Sequence, residues 1–296
     1  MITTVKNSLA FIFISFILCQ PLITKAQEKY EKEVSEESNN VESTFQNPLL
    51  INNQTVDILE KKDIEFTFQQ RFGLIRNDNN MLGLYSPSNL RLGLDYGIND
   101  WLCIGTGVTK NKNIVDANVK LKLLQQTKSG SMPVSVVYFG EVSRCGLSED
   151  ELLNQNGEYD PLNRISYFHE LMVARKFNEK LSLQAAVTYS YFNFIESEKE
   201  NSNLGVSLLG RYKIHRQTSI IVDYDYPIKS TSSHLFKPNL GIGVEFATKN
   251  NMVQIFVTNC SVIANDEMRV CIDNHINKAE FLIGFNIARK WNLSAK

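Results

Sequence analysis

After its first two dozen residues the chain has no apolar run near the roughly 20 residues that a membrane-crossing helix needs. That excludes a helical membrane protein. It leaves a soluble fold or a barrel, the other structure that satisfies its own backbone in lipid. Histidine is scarce, with four in all, and cysteine numbers five. The spacing of Cys103, Cys145, Cys260 and Cys271 matches no zinc or haem motif. No metal and no cofactor is therefore expected. The formal net charge is only −1 at pH 7. Neither sign dominates, so nothing in bulk charge points to nucleic acid or an anionic surface as a partner. Mean hydropathy of −0.20 and 21% charged residues fit either remaining class.

What is present begins with an address. Lys6 opens a short positive region, Leu9 to Leu18 is apolar, and Thr24-Lys25-Ala26 puts a small residue before Gln27. This is the layout of a cleaved signal peptide over residues 1–26. Lipidation at Cys19 is the lesser reading, because bulky Leu18 stands where a small residue is wanted. Export permits disulfides. Cys260 and Cys271 share one expected loop and are the candidate pair, with free thiols the equal alternative. Residues 27 to about 45 are acidic and polar, with Glu28, Glu31, Glu33, Glu36, Glu37 and Glu42, and read as a disordered leader. Residues 46–62 are more apolar. A short helix over Thr55–Lys61 is expected there, either at the mouth of the barrel or plugging it.

From Asp63 to the C-terminus the pattern changes to period two. Ile64, Phe66, Phe68 and Phe72 oppose Glu65, Thr67, Gln69 and Arg71. Leu90, Leu92, Leu94 and Tyr96 oppose Arg91, Gly93, Asp95 and Gly97. Such alternation marks half-buried strands. It recurs often enough to give about twelve, near 63–73, 89–97, 101–109, 114–125, 132–143, 164–176, 181–192, 204–214, 218–226, 238–248, 252–259 and 281–290. The connections alternate too. Tight turns at Asn99-Asp100, Lys128–Ser131, Asn178–Lys180, His215–Gln217 and Asn250-Asn251 are separated by long polar segments, with Lys110–Asn113 the exception. Short turns at one end and long loops at the other characterise outer-membrane barrels. Tyr96, Trp101, Phe177, Tyr212, Phe246 and Trp291 fall at the short-turn ends, as an interfacial girdle requires. Closure also removes the unpaired edges that make exposed strands aggregate. The expectation is an all-β, closed antiparallel transmembrane β-barrel of about twelve strands. It sits in the outer membrane of a diderm bacterium, with both termini periplasmic and the lipid bilayer as its solvent.

Several stretches of the chain resemble a family. They are Asn53-Gln54-Thr55-Val56-Asp57-Ile58-Leu59, Phe68-Gln69-Gln70-Arg71-Phe72-Gly73, and the run Asn89-Leu90-Arg91-Leu92-Gly93-Leu94-Asp95-Tyr96-Gly97-Ile98-Asn99-Asp100. Lys120-Leu121-Lys122-Leu123-Leu124-Gln125 and Gly284-Phe285-Asn286-Ile287-Ala288-Arg289 complete the set. Together they resemble a Bacteroidota β-barrel family that carries the DUF5777 label. The resemblance is dense before about residue 145 and thin between there and the last strand. The family pattern has His where Gln70 stands, and favours Ser where Ala288 stands, so no role of that His carries over. The resemblance implies a fold and a compartment, and no activity.

By strand parity the inward set is rich in charge. Candidate lumen-lining residues are Arg71, Arg91, Asp95, Lys120, Lys122, Glu141, Arg211, Asp223, Asp225 and Glu245. One reading is a narrow channel in which opposed charges select small polar or charged solutes. The other is a non-conducting barrel, zipped or plugged, that anchors or receives a partner. Twelve strands lie between packed eight-stranded barrels and open sixteen-stranded porins. Inward Gly93, Gly97, Gly105 and Gly107 either leave room for a plug or, as the favoured reading, relieve crowding. No enzyme is expected. His169 is the one histidine on a strand, and Ser190 on the next strand faces the other way. His234 and His275, with Asp266, Glu267 and Asp273, have no metal-site spacing and read as solvated loop residues.

Overall fold

The computed structural model describes residues 39–75, 81–84, 86–153, 157–194, 201–229, 238–265 and 280–293. The signal segment, most of the acidic leader, His234, His275 and Cys271 lie outside these residues. Twelve strands form one closed antiparallel barrel. They are β3 (Asp63–Leu74), β4 (Asn89–Asn99), β5 (Leu102–Thr109), β6 (Ile114–Leu124), β7 (Ser135–Arg144) and β8 (Ile165–Lys176), then β9 (Leu181–Phe192), β10 (Ser202–Lys213), β11 (Thr218–Lys229), β12 (Asn239–Ala247), β13 (Asn251–Thr258) and β14 (Leu282–Asn292). Each pairs with its sequence neighbour, and β14 closes on β3 with Trp291 opposite Ile64 and Ala288 opposite Thr67. Every one of the twelve expected strands is present, with ends shifted by three residues at most.

The alternation seen in the sequence becomes two surfaces. Leu94, Val108, Val115, Val187, Leu208, Ile242 and Ile255 are exposed on the outside. A continuous apolar belt of that extent has no place on a water-facing monomer, and suits the hydrocarbon face of a membrane barrel. Glu65, Gln69, Asp116, Glu170, Gln184, Asp223 and Gln254 alternate with that belt and are buried inside.

The tight ends are set by Asx chemistry. Asn178 Oδ1 accepts from the backbone N–H of Lys180 at 2.8 Å and of Leu181 at 2.9 Å. Asn99 Oδ1 accepts from Trp101 N at 3.1 Å. An Asn side chain that bonds its own chain two residues on mimics a backbone turn. Chain ends 62 and 293 meet at this same short-turn end, where Leu293 N donates to Lys62 O at 3.0 Å.

Residues 39–62 depart from expectation. The helix over Thr55–Lys61 is absent. The segment is instead extended, with a small hairpin of β1 (Leu49–Leu50) and β2 (Asn53–Gln54) turning at Ile51-Asn52. The barrel wall holds the start of that stretch extended through its own side chains. Val56 N donates to Gln184 Oε1 at 2.9 Å, and Gln184 Nε2 donates to Gln54 O at 2.8 Å. The leader is also ordered earlier than expected: Thr44 and Phe45 are buried, and Asn40 bridges to Thr127. Asp57 organises that bend, since its carboxylate accepts from Ser43 Oγ and from the backbone N–H of Thr44, Phe45 and Gln46.

Candidate functional site

The site is the lumen and the segment that fills it. Residues 39–62 enter at the short-turn end. Asn40 pairs there with Thr127, Val41 N donates to Gln126 O, and the exit is held by Lys62 N donating to Gly97 O at 2.8 Å. Between these points the chain rises to the tip at Ile51-Asn52, more than halfway along β3, where Arg71 meets it. We call this segment the plug.

Two kinds of wall hold it. One is polar. Arg71, fully buried, donates through Nη2 to Asn52 Oδ1 at 2.9 Å and to Ile51 O at 3.0 Å, and through Nη1 to Asn286 Oδ1 at 2.9 Å. Its guanidinium also lies 4.5 Å from the centre of the Phe256 ring, a favourable cation–π contact. Asn52 Nδ2 donates to Asp223 at 3.0 Å, and Asn53 Nδ2 to Asp223 at 3.2 Å and Asp225 at 3.4 Å. Gln254 accepts from Ile51 N and donates to Leu49 O. Lys120 Nζ donates to Pro48 O at 3.1 Å and Gln54 Oε1 at 3.3 Å. Buried polar groups without partners cost on the order of 1–3 kcal/mol each, so plug and wall satisfy one another.

The other wall is apolar. Val137, Phe139, Phe168, Met172, Leu209 and Ile221 point inward and form one buried cluster with Phe45, Leu50, Ile51 and Val56 of the plug. Phe139 and Phe168 meet edge-on with centroids 6.1 Å apart. The sequence reading counted only inward charges and missed this wall. It also missed the neutral amides Gln184, Gln254 and Asn286. Their signal was present, since each sits at an inward parity position. An inward Phe is an odd choice for a water-filled bore and a natural one for a bore that is filled.

All ten charged candidates lie on the inner surface. Arg91 makes a two-pronged ion pair with Asp116, at 2.6 and 3.1 Å. Arg211 pairs with Glu245 at 2.7 Å and reaches Gln46 of the plug at 2.6 Å. Asp223 and Asp225 receive the asparagines of the plug tip. Glu141 accepts from Asn265 at 2.7 Å. Lys120 holds the plug, Lys122 reaches Gln125 at 3.4 Å near the short-turn end, and Asp95 is half-buried opposite Glu65. Arg71, Arg91, Lys120, Arg211, Asp223, Asp225 and Glu245 are therefore spent on ion pairs and on the plug rather than presented to an open channel.

The far end is narrowed as well. Past β13 the chain turns inward: Cys260, Val262, Ile263, Ala264 and Asn265 are buried, and Asn89 Nδ2 donates to Ser261 O at 3.2 Å. Cys260 is a free thiol, and burial pushes it up to about 12.

The inward glycines divide between the two readings. Gly93, Gly105 and Gly107 relieve crowding among wall side chains, since a Cβ on Gly107 would sit 2.3 Å from Arg91 Nη2. Gly97 alone of the four makes room for the plug, since a Cβ there would sit 2.0 Å from Glu60 O. His169 points outward, where its Nδ1 lies 2.7 Å from Tyr138 Oη, while Ser190 is buried inside. The two lie on opposite faces of the wall.

Comparison with solved structures finds membrane barrels at low identity. An outer-membrane channel from Pseudomonas putida F1 is 13% identical, with 79% of this chain and 97% of that chain covered and a TM-score of 0.49. The KdgM porin is 10% identical, with 77% and 98% covered and a TM-score of 0.46. The NanC porin is 8% identical, with 78% and 99% covered and a TM-score of 0.45. Among curated proteins nothing matches. The family model described as a membrane-bound β-barrel domain, DUF5777, matches residues 45–291. With that match spanning most of the chain, and a closed twelve-stranded barrel beneath it, the protein belongs to the DUF5777 family of membrane-bound β-barrels.

Proposed function

We propose that the protein is an outer-membrane channel for small polar or charged solutes, held shut at rest by its own N-terminal segment. On this reading the short-turn end and both termini face the periplasm. The carrying observation is that the filler is one segment preceding the first barrel strand, hydrogen-bonded to the wall largely through side chains. A strand of the wall cannot leave without opening the barrel, whereas a segment outside the strand ladder can. Each hydrogen bond is worth only about 0.5–1.5 kcal/mol net, because water replaces it. The apolar anchors Phe45, Leu50, Ile51 and Val56 hold more strongly, at roughly 1.5–3 kcal/mol each. The resting state is therefore closed, and opening requires a pull or a displacement rather than thermal release.

The apolar wall favours a second reading, in which the barrel stays filled and serves as an anchor or binding scaffold for a partner. Single-channel recording in planar bilayers separates the two. The protein lacking residues 1–26 is compared with one lacking residues 1–62. A gated channel is silent intact and conducts when truncated. Silence in both, with heat-dependent gel migration showing a folded barrel, would overturn the channel in favour of the scaffold.

A further inference from the structure

Between the plug and the β3–β6 wall lies a cavity that the ion pairs and plug contacts described above do not fill. Glu65, Asp95, Asn118, Lys120 and Gln54 line it. Its free space suits about two or three water molecules. Glu65 and Asp95 are direct partners across the β3–β4 ladder, with both side chains on the inner face. Like charges placed directly opposite repel, and burial removes the water that would screen them. Glu65 is 3% exposed. Its Oε2 accepts from Asn47 of the plug at 3.2 Å, while its Oε1 is buried with no hydrogen-bond partner.

The neighbouring cations are engaged elsewhere. Arg91 is committed to Asp116. Lys120 Nζ donates to Pro48 O and Gln54 Oε1 of the plug. Lys290, opposite Glu65 on β14, is paired with Asp63 at 3.1 Å. With that pair and the Arg91–Asp116 pair cancelling, Lys120 against Glu65 and Asp95 leaves one negative charge in the cavity when both carboxyls are ionised. Gly105 lets the Asp95 carboxylate and the Asn118 amide pack against bare backbone on this side of the cavity, since a Cβ there would lie 1.9 Å from Asp95 Oδ1 and 2.8 Å from the Asn118 amide. Two carboxylates, amide oxygens and room for water make a hard, oxygen-rich environment.

We infer that this cavity is a binding site for one small monovalent cation, sodium or potassium, bridging Glu65 and Asp95 of the wall beside the seated plug. One unit of charge is what the site lacks. A divalent ion would overcompensate that charge. The ion would sit among Asn47, Pro48 and Gln54, all plug residues, so its binding stabilises the plugged state. This holds whether or not the barrel conducts.

The test uses the refolded protein, residues 27–296, in a nonionic detergent near pH 7.5. Excess sodium-23 NMR line broadening is measured and then challenged with potassium. Wild type should broaden the line in a manner that potassium reverses. Glu65→Gln and Asp95→Asn should each lose most of that reversible broadening, whereas Asp150→Asn, on an exposed loop, should keep it. Equal broadening in wild type and in folded Glu65→Gln would overturn the site. Should the variants fail to fold, wild type alone decides through its melting temperature in sodium, potassium or N-methylglucamine chloride at equal ionic strength. A higher melting temperature with either metal ion supports the site. No difference among the three salts overturns it, and a melting temperature that then rises as pH is lowered would assign a shared proton as the neutralising charge.

Discussion

Ile51 at the plug tip offers a quantitative test of how the plug is held. Its side chain is fully buried, packed in the apolar cluster and close enough to Gly241 that a Cβ there would lie 3.0 Å from Ile51 Cγ2. Its backbone is left-handed, with φ of 51°. A β-branched residue rarely adopts that conformation, and the strain costs on the order of 1–3 kcal/mol. The strained turn persists because Gln254, Asn286 and Arg71 all bond the Ile51 backbone. Replacing Ile51 with Ala removes a fully buried side chain at an expected cost of about 2–5 kcal/mol. Part of that is returned because Ala tolerates the turn better, so we expect about 2–3 kcal/mol. At 1.36 kcal/mol per tenfold, the population with the plug tip released rises roughly 30- to 150-fold. Hydrogen exchange read by mass spectrometry on a peptide covering residues 45–58 measures this directly, since exchange from a locally opened state tracks its population. The β3 and β14 peptides should be unchanged, because the barrel ladder does not depend on Ile51. If the plug peptide exchanged at the wild-type rate in a folded Ile51→Ala protein, the apolar anchor would not be what seats it. If β3 and β14 accelerated equally, plug and barrel would unfold as one unit and release of the plug alone would be refuted.

Three further outcomes follow from the same geometry. Gly107→Ala places a methyl 2.3 Å from Arg91 Nη2 and forces the guanidinium off Asp116; breaking a buried pair costs about 3–5 kcal/mol, and urea unfolding should show a loss of that order, with no loss leaving the pair structurally idle. Cys260, whose thiol burial raises to about 12, holds roughly one thiolate in ten thousand near pH 8, so maleimide labelling should be very slow in the folded protein, faster as pH rises, and immediate in urea, whereas fast native labelling would contradict its burial. In the truncated barrel lacking residues 1–62, Lys120→Glu with Lys122→Glu should shift reversal potentials toward cations, and an unchanged ion preference in a conducting barrel would remove these lysines from the conduction path.

Much of this protein is written in local pattern. The twelve strands, their inward and outward faces and the sorting of loop length between the two ends follow from period-two alternation and turn chemistry, which act over a few residues. Glu65 faces inward because Ile64 and Phe66 face lipid, and no distant residue is needed to say so. The inward placement of Asp223 and Glu245 has the same local origin. What parity does not carry is distance across the bore. That Arg91 is matched by Asp116, that Arg211 meets Glu245, and that Asn52 and Asn53 reach Asp223 are facts of the closed wall and its plug, which bring together residues up to 235 positions apart.

The plug shows the division most sharply. Its sequence alone, Val56, Ile58 and Leu59 after two asparagines, read as a short helix beside a leader. In water a chain satisfies its own backbone, and a helix is the local way to do it. Inside the barrel Gln184 takes Val56 N and Gln54 O at the start of that stretch, Gln254, Lys120 and Arg71 hold the backbone just before it, and the segment stays extended. The sequence by itself determined the barrel, because alternation and turns are local. Only the tertiary structure decided that the barrel is filled, because hydrogen bonds and apolar contacts between the plug and a closed wall exist only once the wall has closed.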